Sequence, residues 1–350
     1  MACVIPLEQP VPLGLWIAVC YTGTVAKAEG DIRRMQYALA GVFSFILVFF
    51  SVPYVQKLAL RTGFVDMPNQ RKIHTAPMPL LGGLAMYVGF VVTAGLFTAR
   101  TEQFWGVTLG GFLIFSIGIV DDYFKTRHKD LSAWPKFAVQ IVAASLLPLF
   151  NISIQGIHVP FLHDGFLVFP DWLRGVTTVV WVVGITNMLN FLDGVDGLAA
   201  GIAAISATTL FLIALVKAHY GMAMFSIILI GCTLGFLRHN FHPARIFMGD
   251  AGATFLGYVL AAIAVDGAFK SATLVSVIIP VLALGVPIMD AFYVIIRRFR
   301  ENRPIYVGDR GHTFHHLMSS GLTQKQTVTF LYLLGICFSL VSIVILLVNR

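Results

Sequence analysis

The stretch VTTVVWVVGITNMLNFLDGVDGLAAGIAAISATTLFLIALV, residues 176–216, decides how this chain is read. Two apolar runs, each long enough to cross a hydrocarbon core of roughly 30 Å, flank the acidic turn Asp193-Gly194-Val195-Asp196-Gly197. Runs of this kind recur along all 350 residues, of which 57% are hydrophobic and only 12% charged. Soluble domains carry roughly a quarter charged residues. The ten-residue alternation of an outer-membrane barrel is absent. The chain therefore reads as an all-α polytopic membrane protein. Spans are expected near 36–60, 80–99, 104–120, 134–150, 172–190, 197–216, 221–238, 251–266, 271–297 and 327–348. That makes about ten crossings, or eleven if the apolar run 11–25 also crosses.

Placing the loops 57–79, 121–136, 187–197, 238–250 and 297–326 on one side gives that side 16 of the 24 Lys and Arg residues. The positive-inside rule makes it the cytoplasmic side. In a membrane protein a net charge of +7 reports topology first, and no nucleic-acid partner is inferred from it. Residues 1–34 stand apart from a single transmembrane domain expected over 35–350. Three readings are open for them: an extra helix, a signal-like segment, or an upstream extension of a gene whose natural start is Met35, the last two favoured together. Residues 152–169 alternate around His163-Asp164-Gly165 and read as a small extracytoplasmic β-hairpin without chemistry. Pro280 and Pro287 should kink or break the span 271–297. Cys3, Cys20, Cys232 and Cys337 have no metal or redox spacing and read as inert thiols.

Sorted by side, the unusual polar residues fall on the cytoplasmic face. Asp121 and Asp122 end the third span, Asp193 and Asp196 fill the turn after the fifth, and Asp250 begins the eighth. His312, His315 and His316 lie in the last inner loop. Charges at helix ends escape most of the insertion cost, so position alone proves little. Chemistry says more. Five carboxylates converging at one face repel one another and shift toward protonation unless a cation holds them. The cation that takes few carboxylates, and completes its shell with water and phosphates, is Mg²⁺. Adjacent Asp121 and Asp122 point in different directions from a helix, so one can hold a metal while the other faces a reactant. Gly194 and Gly197 permit close backbone approach, and Asp196 is placed to open the next helix. Lys125, Lys136, Arg310 and the histidines supply cationic or donor groups, completing the picture of a nucleotide-phosphate site.

Each element has a plainer reading. Asp121-Asp122 can be a solvated helix end, Asp193 and Asp196 a turn and cap, and Lys125, Arg127 and Lys129 positive-inside charges. Asn187 and Asn190 can serve backbone groups. His-x-x-His-His puts three imidazoles on one helical face, which without a Cys or local acid is a weak Zn²⁺ signal. It is the joint occurrence of these elements that points to a site.

At these residues the chain resembles the polyprenyl-phosphate N-acetylhexosamine-1-phosphate transferases. The likeness runs from about Met35 to the C-terminus. It is carried by Asp66-Met-Pro-Asn69 with Arg71-Lys72-Ile-His74, by PMPLLGG, GIVDD, NMLNFLDGVDGLAAG, NFHPARIFMGDAGATFLGY and GHTFHHLM. The resemblance implies transfer of a sugar 1-phosphate from a UDP-sugar to a polyprenyl phosphate, usually undecaprenyl phosphate, with release of UMP. It implies a need for Mg²⁺, Mn²⁺ being the alternative, and a site facing the cytoplasm from the bacterial inner membrane. It assigns Asp250 to the metal, with Asp121 or Asp122 close to it and to the lipid phosphate. Asn190, Asp193 and Asp196 would bind uridine or orient its phosphates, Asn240 and Phe247 would line the nucleotide pocket, and Lys125 and Lys136 would meet phosphate. The loop with His312, His315 and His316 would close over pyrophosphate and sugar. Spacing of these histidines and the D-x-P-N-x-R-K-x-H stretch favour UDP-GlcNAc as donor, in a first step of teichoic acid or O-antigen synthesis. The alternatives are the phospho-MurNAc-pentapeptide translocase branch and another UDP-N-acetylhexosamine donor. A homodimer is held open.

Two rivals come from other classes. A cation-coupled transporter would place its carboxylates near the bilayer midplane on broken helices. A scaffold recruiting cytoplasmic enzymes through basic loops would depend on loop charge and survive loss of the aspartates.

Overall fold

A computed structural model describes residues 13–67, 77–127, 129, 131–158, 166–268, 274–302 and 311–349. The chain divides into two units, Met1–Leu39 and Ala40–Arg350. In the first, the described residues 13–39 are helical. Helix α1 is assigned Leu13–Thr62 and is followed by the two-residue strands β1 (Val65–Asp66) and β2 (Met78–Pro79), which pair antiparallel. Then come α2 (Gly82–Phe97), α3 (Glu102–Thr126), α4 (Ala133–Leu149), β3 (Gly156–His158), β4 (Phe166–Val168), α5 (Asp171–Phe191), α6 (Leu198–Val216), α7 (Tyr220–Asn240) and α8 (Gly249–Ala268). The last are α9 (Leu274–Ala283), α10 (Gly285–Arg300), α11 (Thr313–Ser319) and α12 (Gln324–Val348).

Hydrocarbon offers the backbone no partner, so the crossing segments satisfy their own N–H and C=O groups as helices. Among the described residues seven helices are long and apolar enough to cross, and eight crossings result if α9 and α10 form one span broken by an 85° bend. The bend falls between Pro280 and Pro287, where a kink or break was expected. The other two expected crossings, α2 and α4, have 16 and 17 residues and fall short of that length. Strands β3 and β4 pair with Ile157 opposite Leu167, so the ladder of a hairpin is present. Its expected tip, His163-Asp164-Gly165, lies outside the described residues. The β1–β2 ribbon was not anticipated. Helix starts are set locally: Thr101 accepts the N–H of Phe104 at the head of α3, and Thr323 with Gln326 forms a capping box on α12.

Helix α8 is the centre of the larger unit. Its span is 94% buried, and it packs on α2, α3, α5, α6, α7 and α9. Small residues make this closeness possible, as at many membrane helix contacts. A Cβ on Gly83 of α2 would lie 2.4 Å from the nitrogen of Gly252, and one on Gly118 of α3 would lie 2.3 Å from the Cα of Ala251. Aromatic rings fill the adjoining space, with Tyr87 stacked on Phe115 and edge-on to Phe255. Of the cysteines, Cys232 is buried and Cys337 is on an exposed face.

Deep in this core the hydroxyl of Tyr258 donates to the carbonyl of Gly106 at 3.0 Å. Removing it by Tyr258→Phe loses a buried hydrogen bond to a helix carbonyl and should cost about 1 kcal/mol. A Cβ at Gly110 would sit 1.8 Å from that hydroxyl. Gly110→Ala should therefore cost more, about 1–3 kcal/mol, by forcing the ring aside. Thermal unfolding of the two variants in detergent checks the order.

Candidate active site

The site begins with the contact between the end of α3 and the start of α8. Asp122 Oδ1 accepts the N–H of Asp250 at 2.9 Å and Oδ2 accepts that of Ala251 at 3.1 Å. These are first-turn N–H groups that the helix itself leaves without partners. Gly249 enters the helix with φ +69°, and a Cβ there would lie 2.4 Å from Asp122 Oδ2. Glycine alone fits both the left-handed backbone and the carboxylate beside it. The main chain just before is pinned too: Phe247 donates to Pro79 O, Gly82 donates to Phe247 O, and Gly83 donates to Met248 O, at 2.8–2.9 Å.

With Asp122 turned to the backbone, its neighbour Asp121 turns the other way and is 1% exposed. Lys125 Nζ lies 2.7 Å from Asp250 Oδ1 and 3.3 Å from Asp121 Oδ2, while Lys136 Nζ donates to Asp121 Oδ2 at 3.1 Å. Asp121 and Asp250 are thus joined through the shared ammonium of Lys125. Asp121 Oδ1 is buried without a hydrogen-bond partner among the described residues. Two facing carboxylates with an unengaged buried oxygen fit a hard cation that takes oxygen ligands and keeps open positions for water and phosphate. Among the described residues no group of three or more His, Cys, Asp or Glu side chains is placed to hold a metal ion, so any ion here would rest on this pair of acids, water and phosphate. Of the acids expected here, Asp121 and Asp250 are the two that could hold a metal, whereas Asp122 holds the backbone.

The acidic turn lies beside this pair. Asp193, half-buried, has its carboxyl pushed up to about 7, first by burial and then by the negative charge of Asp250, with Lys125 opposing. Gly197 adopts φ +78° and opens α6, its N–H donating to Asn240 Oδ1 at 3.0 Å. Asn240 Nδ2 in turn donates to Ile246 O at 2.9 Å, so this side chain ties the acidic turn to the loop before α8. Asp196 does not cap α6 as expected. Its Oδ2 accepts the N–H of Ala244 at 3.1 Å and faces His242 Nδ1 at 2.8 Å, making a second tie to the same loop. Asn190 is half-buried at the end of α5, where its carbonyl accepts the N–H of Asp193. Phe247 is half-buried beside β2. Asn187 exchanges hydrogen bonds with Gln140 of α4 and also serves Val183 O.

The histidines do not share one helical face. His312 stands before α11 in extended backbone, whereas His315 and His316 lie within it. Each has its own surroundings. His312 Nδ1 meets Asp290 Oδ2 at 2.8 Å, His316 Nε2 accepts from Arg297 Nη1 at 2.7 Å, and His315 lies 4.3 Å from the ring of Phe314. Phe314 is buried against Gly194, which brings this segment to the acidic turn. Arg310 lies outside the described residues. Asp290 was missed in the sequence. The signal was a lone carboxylate in the apolar run 274–296, since ionisable groups in membrane segments are rare and usually functional.

The chain has relatives among known proteins. The model of glycosyl transferase family 4 matches residues 104–268. The chain is 39% identical over 318 residues to the probable undecaprenyl-phosphate N-acetylglucosaminyl 1-phosphate transferase of Bacillus subtilis, covering 90% of this chain and 86% of that protein. It is 35% identical to the decaprenyl-phosphate N-acetylglucosaminephosphotransferase of Mycolicibacterium smegmatis, covering 88% and 82%. It is 26% identical to the undecaprenyl-phosphate alpha-N-acetylglucosaminyl 1-phosphate transferase of Yersinia pestis, covering 90% and 85%.

Two outcomes follow from the geometry. An amide at 122 offers one acceptor oxygen to two N–H groups, so Asp122→Asn should lower stability by about 1–3 kcal/mol, read by thermal unfolding. Asp121→Asn, which touches no backbone donor, should leave stability closer to that of the parent. For Asp193, the unfolded chain releases its proton near 3.8 and the folded chain near 7, so stability should fall as pH rises between those values and then level off. Asp193→Asn should flatten that part of the profile in EDTA.

Proposed function

The chain belongs to glycosyl transferase family 4, and from that membership we propose that it transfers GlcNAc 1-phosphate from UDP-GlcNAc to undecaprenyl phosphate, releasing UMP. One observation carries the reading: Asp121 and Asp250, from two helices, share Lys125 beside Lys136, within electrostatic reach of Asp193 in the acidic turn. Carboxylates and lysines so interleaved suit a diphosphate accompanied by a hard cation. The printed names of the relatives supply the sugar and the lipid.

Asp250 and Asp121 are the residues that would hold Mg²⁺, with Mn²⁺ as the alternative. When bound, the ion neutralises charge on the diphosphate. The lipid phosphate oxygen attacks the β-phosphorus, a new P–O bond forms, the bridging P–O bond breaks, and UMP leaves. Lys125 and Lys136 stand where they would attract the phosphates, and Asp193 and Asn190 flank the donor. The lipid phosphate, with a second pKa near 6, is mostly ionised at neutral pH and needs little help from a base. Direct displacement is favoured over an aspartyl-phosphate route because both Asp122 oxygens accept main-chain N–H groups and the free Asp121 Oδ1 is the oxygen assigned to the cation.

The finer topology belongs to the same proposal. Counting α2 and α4 as short crossings and α9 with α10 as one broken span gives about ten. The excess of Lys and Arg supports a site on the cytoplasmic face, with the β3–β4 hairpin outside, and the proposed reaction suits the bacterial inner membrane. The product would enter a cell-envelope glycopolymer pathway such as teichoic acid or O-antigen synthesis. A transporter is disfavoured because Asp121, Asp122, Asp193 and Asp250 gather at helix ends.

The test is purified protein with undecaprenyl phosphate and a panel of UDP-sugars, following UMP release with and without Mg²⁺. UDP-GlcNAc should be the preferred donor, and EDTA should stop the reaction. Asp250→Ala should abolish turnover at every Mg²⁺ concentration tried; near-parental rates in that variant would remove Asp250 from the metal. Transport of a solute into vesicles with no UMP formed would instead support the rival class.

A further inference from the structure

Asp290 is a carboxylate to which the transferase reading gives no task. It sits in the first half of α10, 1% exposed, in an apolar stretch where an ionised side chain is costly. Both of its oxygens are used: Oδ1 accepts the N–H of Thr313 at 2.7 Å and Oδ2 meets His312 Nδ1 at 2.8 Å. A single acceptor such as Ser would suffice for the Thr313 N–H alone. A carboxylate supplies two separate acceptor oxygens, one for the backbone and one for the imidazole.

The ring of His312 is fixed from other sides as well. Phe314 stacks on it at 5.7 Å with planes 5° apart, and Phe191 lies 5.6 Å away. Phe314 is itself wedged into the acidic turn, where a Cβ on Gly194 would lie 2.6 Å from its ring. The plane of the imidazole is thus set by two aromatic rings and its rotation by Asp290. Nδ1 faces the carboxylate, and Nε2 is the edge left, with no partner among the described residues.

We propose that Asp290 is a positioning residue that holds His312 so that Nε2 meets a phosphate oxygen of the donor diphosphate. The carboxylate behind Nδ1 accepts its N–H and orients the ring, and the contact at Nε2 is an N–H donated to the anionic phosphate oxygen, so in the ligand-bound form both ring nitrogens carry a proton. The identity of the ligand rests on the transferase reading; the orienting role rests on the geometry alone.

The experiment compares Asp290→Asn, Asp290→Glu, His312→Gln and the double variant Asp290→Asn with His312→Gln. Asp290→Asn should lower kcat by about 10- to 100-fold, the range lost when a ligand-orienting partner is removed. Its KM for UDP-GlcNAc should move less than about threefold, and Asp290→Glu, which keeps two acceptor oxygens, should recover part of the rate. The double variant should be no slower than His312→Gln, because both changes act through one ring. Multiplying losses, or a parental kcat in folded Asp290→Asn, would overturn the role. Should Asp290→Asn fail to accumulate in membranes, Phe314→Leu frees the ring from its other side and should show the same pattern against His312→Gln. A readout independent of turnover is the ¹⁵N signal of histidine Nδ1, assigned by its loss in His312→Gln. It should shift in Asp290→Asn, and an unmoved signal would also overturn the proposal. Absence of UMP release by the unmodified chain with every donor would instead overturn the transferase reading.

Discussion

Asp122 accepts the first N–H groups of α8, and this pair of hydrogen bonds sets where that helix begins and which way its first side chains face. Gly249 supplies the only kind of backbone that lets the chain turn in beside the carboxylate. From there the rest follows by geometry. Asp250 is the residue after the turn, so it projects beside the helix end from which Asp121 comes, and Lys125, one turn beyond Asp121, reaches both. The hydrogen bonds are short-range, yet they register two helices that pack closely against each other. Small residues at Gly83, Gly118 and Gly252 allow α2, α3 and α8 to come this close, and any side chain added there would separate the acids from one another.

A second layer of ties gathers the loops. Asn240 and Asp196 each bridge the acidic turn and the loop that leads into α8, using both a side chain and main-chain groups. Phe314 joins the histidine segment to the same turn. None of these contacts needs a bound ligand, so the site is largely organised before one arrives. Such preorganisation is what lets fixed charges act on a reacting diphosphate without rearranging first.

Much of this was legible in the sequence, and the parts that were not share a cause. Spans could be placed because a run of apolar residues must become a helix in hydrocarbon, and α5, α6 and α7 begin and end within a few residues of where hydropathy puts them. Lengths were harder at α2 and α4, whose ends are decided by packing. The acids at 121, 122, 193, 196 and 250 stood out by rarity. Their division of labour did not, because which of two adjacent aspartates faces the helix next door depends on rotation about the axis of α3. The same limit applies to His312, read as helical by spacing but placed ahead of α11 by Asp290, a residue 22 positions away. Two-residue strands such as β1 and β2 carry no period at all.

Helix α12 contributes no charged group to the site, yet it braces both halves of it. The Tyr332 hydroxyl donates to Gly197 O at 2.6 Å, steadying the acidic turn. Farther along, Ser342 donates to Ile279 O at 2.9 Å and Phe338 lies against Gly285, so the same helix holds the bend that aims α10. Selection for altered catalysis therefore has a target remote from the reacting atoms. Changes along this outer strut would act on the turn and the bend it braces rather than on the charged groups themselves.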